Sequence, residues 1–139
     1  MPRFQSEPSR QVDLNVKREQ YKSMENSWAQ FLSELKFNSE GLIVAIAQDH
    51  SSKKVLMQAW MNEASLIKTL ETGKVTYYSR SRGQLWTKGE SSGNWQKLVK
   101  IESDCDHDSL LITVQQHGPA CHTNKETCFQ AGTNVEIHK

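Results

Sequence analysis

Two short apolar runs, GLIVAIAQ (41–48) and VLMQAWM (55–61), flank the polar segment DHSSKK. Both runs are rich in residues that suit a pleated, buried surface, and the polar stretch between them is long enough to reverse the chain. They predict a hairpin, and a sheet with an apolar face needs a cover. Asn62 can cap a helix running to about Thr72, with Leu66, Ile67 and Leu70 inward and Gly73 at its C-terminal end. VTYYSRS (75–81) alternates as a strand does, Gly83 marks a turn, and WTKGESSGNWQ (86–96) reads as a loop between strands. WQKLVKIESDCD (95–106) and SLLITVQQ (109–116) are two further strands, and 117–129 reads as loop or short helix. Upstream, Tyr21, Met24, Trp28, Phe31, Leu32 and Leu35 recur at helical spacing, predicting an amphipathic helix over 21–36. Residues 1–20 are polar and aperiodic, as expected of a flexible tail. The expected class is α+β: one domain over 21–139, an antiparallel β-sheet with one or two flanking helices.

Several function classes are disfavoured at once. A net charge of +1 gives no electrostatic case for nucleic acid or a membrane surface. The longest apolar run, about 41–47, is too short to span a bilayer, and the opening MPRFQSEPSRQ lacks the apolar core of a secretory signal. A cytoplasmic location is expected. The chain has three cysteines, all between Cys105 and Cys128. An odd count argues against a disulfide framework, and in a reducing compartment such thiols are buried, catalytic or metal-bound.

The first cysteine sits in DCDHD (104–108). This is not an EF-hand, whose glycine and final glutamate would fall on Ser109 and Gln115. If the segment is extended, Asp104, Asp106 and Asp108 share one side, while Cys105 and His107 face the other. Three carboxylates together are tolerable when solvated, or when a hard cation such as Mg²⁺ sits among them. Cys121 and Cys128 are separated more loosely than zinc-finger cysteines, but with Cys105 they make three thiolates, a set that suits Zn²⁺ and leaves one position open. Catalytic zinc uses such a position for water; structural zinc would fill it, with His107, His117 or His122 as candidates. The cysteines alone support both. His122, beside Cys121, could instead move a proton.

A third group is cationic. Arg80 and Arg82, two apart, would share a strand face; Lys88, Ser91 and Ser92 lie among Gly89 and Gly93. Cations, hydroxyls and pliable backbone suit phosphate, although no P-loop motif is present. Trp86 and Trp95 could stack on a base or pack on the sheet. Together the three groups suggest metal-assisted hydrolysis of a phosphorylated substrate.

WMNEASLIKTLETGKVTYYSRSR, LWTKGESSGNWQ and DCDHDSLLITVQQHGPACHTNKETCF occur in that order, and with them the chain resembles the phosphoribosyl-AMP cyclohydrolases of histidine biosynthesis from about Gly41 to Phe129. The resemblance implies an intertwined homodimer with sites at its interface, and hydrolysis of the N1–C6 bond of the adenine ring of phosphoribosyl-AMP. It implies Mg²⁺ on Asp104, Asp106 and Asp108, and Zn²⁺ on Cys105, Cys121 and Cys128, with Cys105 from one subunit and the other two from its partner. His122 matches a residue assisting proton transfer, and Arg80, Arg82, Lys88, Ser91 and Ser92 fall in the substrate-binding region. Asn124 and Pro119 stand where the family commonly has glycine. Ten residues after Phe129 leave no room for the pyrophosphohydrolase domain fused to some members, so a monofunctional form is expected. The competing classes are a non-catalytic structural zinc module and a metal hydrolase acting on another nucleotide.

Overall fold

The computed structural model describes residues 26–138. Helix α1 (Asn26–Glu34) leads to β1 (Ile43–Asp49) and β2 (Val55–Met61). Helix α2 (Glu63–Thr72) follows, then β3 (Thr76–Ser79), β4 (Gln84–Thr87), β5 (Gln96–Ser103), β6 (Ser109–Gln116) and a single 3-10 turn at Cys128–Gln130. The helix expected to reach residue 36 ends at Glu34. The expected tail, together with Tyr21 and Met24, lies outside the described residues. Leu32 and Leu35 of the helical stripe are buried in the core.

The β1–β2 hairpin forms as expected, with Ile43 opposite Met61 and Ala45 opposite Ala59. Its turn is fastened by the Asp49 carboxylate, which accepts the Ser51 and Ser52 N–H groups at 3.0 and 2.8 Å. The Ser52 amide is the main reason this carboxyl sits below its ordinary range. Helix α2 begins at a reciprocal cap: Asn62 Oδ1 accepts Ser65 N–H at 2.8 Å, and Ser65 Oγ accepts Asn62 N–H at 2.9 Å. It ends at Gly73, whose φ of 75° lets its N–H reach Thr69 O. Thr69 also joins helix to strand, accepting Thr76 N–H at 2.9 Å through its buried hydroxyl.

The strands form one sheet in the order β4-β3-β2-β1-β6-β5. It is mixed, not antiparallel throughout as expected: β1 and β6 run parallel, with Ala45 beside Leu110 and Ala47 beside Ile112. Residue alternation cannot separate the two cases, because it is the same in both. The long excursion through α2, β3 and β4 lets the β5–β6 hairpin dock on the far side of β1. Alternate residues Ile43, Ala45 and Ala47 of β1 and Leu110, Ile112 and Val114 of β6 then face the core with Leu56, Met61, Leu66 and Tyr77. Part of the stretch expected to be loop is strand: Thr87 and Trp86 of β4 pair with Thr76 and Tyr77 of β3.

The two sides of the sheet curl toward each other. Lys74, just before β3, bridges Lys97 of β5; Val75 N–H donates to Gln96 O at 3.1 Å and Leu98 N–H to Gly73 O at 2.8 Å. Inside this seam Tyr77 donates to Gln96 Oε1 at 2.6 Å, and Gln96 Nε2 donates to Gln116 Oε1 at 2.9 Å. Burial drives the Tyr77 phenol far above its ordinary range, so it remains a donor. Tyr77→Phe is predicted to cost about 1–3 kcal/mol in urea unfolding, because it strands a buried amide oxygen without its donor. An unchanged unfolding midpoint would show that Gln96 is satisfied without the phenol.

Candidate active site

DCDHD is not an extended strand end. Asp104 to Asp108 form the turn between β5 and β6, with His107 in the left-handed region at φ 64°. His107 N–H donates to Asp104 O at 3.0 Å, and Asp104 Oδ1 accepts Asp108 N–H at 3.0 Å and Ser109 N–H at 3.2 Å. This curl, rather than strand alternation, brings carboxylate oxygens of Asp104, Asp106 and Asp108 within 4.8 Å of one another. It is the only such group of three or more potential metal-ligating side chains among the described residues. His107 braces the turn from outside: its carbonyl accepts Lys36 N–H at 2.8 Å, and its Nδ1 lies 2.9 Å from Ser103 Oγ.

The carboxylates do not titrate alike. Desolvation opposes ionisation of Asp104, but hydrogen bonds from Asp106 and from the Asp108 and Ser109 amides outweigh it and hold this carboxyl below the usual range. Asp106 goes the other way: hydrogen bonding with Asp108 and then Asp104 raises its carboxyl above the usual range. A hard divalent cation can relieve the repulsion in such a crowded acidic set.

The cysteine pair is built by a different turn. Ala120 N–H donates to Glu126 O at 3.2 Å, Cys121 N–H to Lys125 O at 3.1 Å, and Asn124 N–H back to Cys121 O at 3.0 Å. Asn124 takes φ 69°, the left-handed conformation for which glycine is the commonest choice. Thr127 then pins the chain to β2, with Oγ1 2.8 Å from Val55 O and 3.0 Å from Leu56 O. Cys121 and Cys128 are thereby brought within hydrogen-bonding reach. The Thr123 hydroxyl, 3.0 Å from Cys121 Sγ, is the main influence lowering the Cys121 thiol below its ordinary range. Burial and then the neighbouring sulfur raise Cys128. The pair is therefore poised with Cys121 ionising first. Cys105 lies exposed in the carboxylate turn and does not join the other two within the chain.

The histidines divide. His122 is exposed next to Cys121. His117 lies flat on Trp95, with ring centroids 4.3 Å apart. The arginines are not on a strand: Arg80 and Arg82 belong to the exposed β3–β4 turn, with the Arg80 guanidinium 4.9 Å from the centre of the Trp60 ring. Ser91 and Ser92 are exposed in the glycine loop after β4, whereas Lys88 turns inward and donates to Ala120 O. Trp86 packs against Tyr77 at 5.1 Å, and Trp95 is occupied by His117 and Lys74, so both indoles serve packing. Thr123, Ser103 and the Tyr77–Gln96–Gln116 chain were not singled out from sequence. Only Thr123, two residues from a suspected ligand, carried a local signal.

The family model for phosphoribosyl-AMP cyclohydrolase matches residues 57–130. The chain belongs to the phosphoribosyl-AMP cyclohydrolase family. A phosphoribosyl-AMP cyclohydrolase of Halorhodospira halophila is 59% identical over 102 residues, covering 73% of this chain and 72% of the relative. One from Dinoroseobacter shibae is 56% identical over 107 residues, covering 74% and 90%. One from Paracoccus denitrificans is 60% identical over 95 residues, covering 68% and 78%. The cyclohydrolase match contains the carboxylate turn, the glycine loop and all three cysteines.

Thiolate formation in metal-free protein, followed by its ultraviolet absorbance in a Cys105→Ser background, is predicted to begin below the pH of an ordinary thiol. Thr123→Val removes the hydrogen bond favouring the Cys121 thiolate and should move that step to higher pH. A step that stays in place would remove Thr123 from the control of Cys121.

Proposed function

We propose that this chain hydrolyses the N1–C6 bond of the adenine ring of 1-(5-phosphoribosyl)-AMP, opening that ring as a step of histidine biosynthesis. The reading is carried by a Cys121–Cys128 thiol pair within a chain 55–60% identical to relatives named for this activity. In the substrate N1 bears a second phosphoribosyl group, which leaves C6 electron-poor and open to attack by water.

The donor chemistry fits two different ions. Asp104, Asp106 and Asp108 would hold Mg²⁺ through hard oxygen atoms. Cys121 and Cys128 would hold Zn²⁺, with Cys105 of a second copy as third ligand in a cytoplasmic homodimer. Once bound, zinc supplies a Lewis acid that activates water, and magnesium a hard charge suited to phosphate oxygens. His122 stands beside this set, free to take a proton from the attacking water and return it toward N1. Arg80 and Arg82 of the β3–β4 turn and Ser91 and Ser92 of the glycine loop would offer exposed cations and hydroxyls to the two phosphates, with the half-buried Lys88 at the base of that loop. No helix among the described residues is long and apolar enough to cross a membrane.

The deciding measurement is an ultraviolet ring-opening assay with phosphoribosyl-AMP, using AMP as control. Turnover of phosphoribosyl-AMP alone is expected, and its absence in zinc- and magnesium-loaded protein would end the proposal. Cys105→Ala, Cys121→Ala and Cys128→Ala should each lose zinc and ring opening together. Mixing the Cys105→Ala and Cys121→Ala chains should restore part of the activity, because one intact set can form across two copies. No recovery would place all three ligands in one chain.

Asp106→Asn should retain zinc but weaken the magnesium response by more than about tenfold, equivalent to about 1.4 kcal/mol of binding. Because Asp106 holds a proton more tightly than an ordinary carboxyl, magnesium affinity should fall as pH drops through its raised titration and recover above it. Calorimetric titration across pH checks both, and a pH-independent affinity would remove Asp106 from the site.

A further inference from the structure

Lys88 was expected among the phosphate ligands, yet its placement suits another task. Its main chain is held at the end of β4, where Lys88 N–H donates to Val75 O at 3.0 Å. Its side chain runs past Trp86, with Nζ 5.9 Å from the centre of the ring, and ends in a hydrogen bond to the carbonyl of Ala120. Ala120 is itself buried and precedes Cys121 directly. From there the ammonium is close enough to interact with both the Cys121 and the Cys128 sulfurs. A phosphate ligand on a glycine loop needs a solvent-facing donor, which the exposed Ser91 and Ser92 hydroxyls of the same loop offer and the inward-turned Lys88 does not.

The other end of the loop is fastened to the same segment. Gly89 closes over Trp95 so tightly that a Cβ there would lie 2.4 Å from Trp95 N. Asn94 rests against Gly118, where a Cβ would meet Asn94 Oδ1 at 2.1 Å. Gln116 Nε2 donates to Asn94 O at 3.1 Å, and Trp95 stacks on His117. Residues 88–95 and 116–121 are therefore packed and hydrogen-bonded together, with Lys88 as the one cation of the loop directed at the cysteine segment.

We propose that Lys88 is a positioning residue for the thiol site: anchored on Ala120, its ammonium seats the Cys121–Cys128 pair for a soft divalent cation and fixes the glycine loop to it. The inference rests on the reading of Cys121 and Cys128 as zinc ligands. Two thiolates beside a third concentrate negative charge around a divalent ion, and a cation held against them offsets the excess. The carbonyl bond keeps that cation from swinging out into solvent.

The test measures zinc affinity by competition with a chromogenic chelator in the full chain, alongside KM and kcat for ring opening. Lys88→Met should raise the zinc dissociation constant about 10–100-fold, the usual effect of losing a group that supports metal ligands. Lys88→Arg, which restores charge and donor, should recover most of it. Unchanged zinc affinity in Lys88→Met with a raised KM would overturn the proposal and return Lys88 to the phosphates. Where Lys88→Met fails to fold, judged by urea unfolding of the zinc-free protein, Lys88→Gln is read in the same two ways. Cys121→Ser separates the two ideas: loss of zinc there with full retention in Lys88→Met defeats only the role of Lys88, whereas retention of zinc in Cys121→Ser defeats the thiol site itself.

Discussion

The site depends on a seam where the sheet curls on itself. Backbone bonds from Gly73 and Val75 to Leu98 and Gln96 join the approach to β3 with the start of β5, although three strands separate β3 from β5 in the sheet order. Such closure buries polar side chains that a flat sheet would leave wet, and buried polar groups must be paired. Tyr77, Gln96 and Gln116 meet that demand in series. Because Gln116 ends β6 and Gln96 begins β5, the seam also sets where the glycine loop leaves the sheet and where the cysteine segment starts. The loop and the thiols are neighbours as a consequence of the curl.

The second constraint is electrostatic. Carboxylates crowded as in the β5–β6 turn repel each other, and the backbone pays part of the cost by donating the Asp108 and Ser109 amides to Asp104. That assistance goes to one carboxylate only, so the remaining repulsion falls on Asp106, whose carboxyl is raised above the usual range. Left-handed backbone at His107 and the Lys36 bond to its carbonyl hold the arrangement from outside. A turn braced by Lys36 and Ser103 is better suited to a fixed coordination site than a solvated strand end would be.

Much of this was legible in the sequence, for reasons that differ by element. VLMQAWM and SLLITVQQ are strands over the expected residues because alternation and β-branched content agree there. Asn62 and Gly73 bound α2 as their capping chemistry requires. The parallel β1–β6 pairing was not legible, since which strands become neighbours is settled by packing of distant segments and not by periodicity. The DCDHD carboxylates gather for a reason other than the one sequence offered: an i, i+2 spacing brings side chains together on a strand, and a tight turn can do so as well. Lys88 shows the opposite failure. Its glycine and serine neighbours suggested phosphate, but the direction of its side chain depends on Ala120, thirty-two positions away.

Cys105 draws these threads together. It shares its turn with the aspartates, while Cys121 and Cys128 belong to a segment organised around β2 through Thr127. A thiol pair alone is a poor seat for zinc, which takes three or four protein ligands. The two turns are held separately: one is braced by Lys36 and Ser103, the other by Val55, Leu56 and Lys88. In the proposed function the third ligand comes from a second copy, with Cys105 of one turn meeting the pair of another. In the proposed dimer the hard-ion turn and the soft-ion pair would then be joined by the DCDHD segment itself, and substrate phosphates and adenine ring could be held between them.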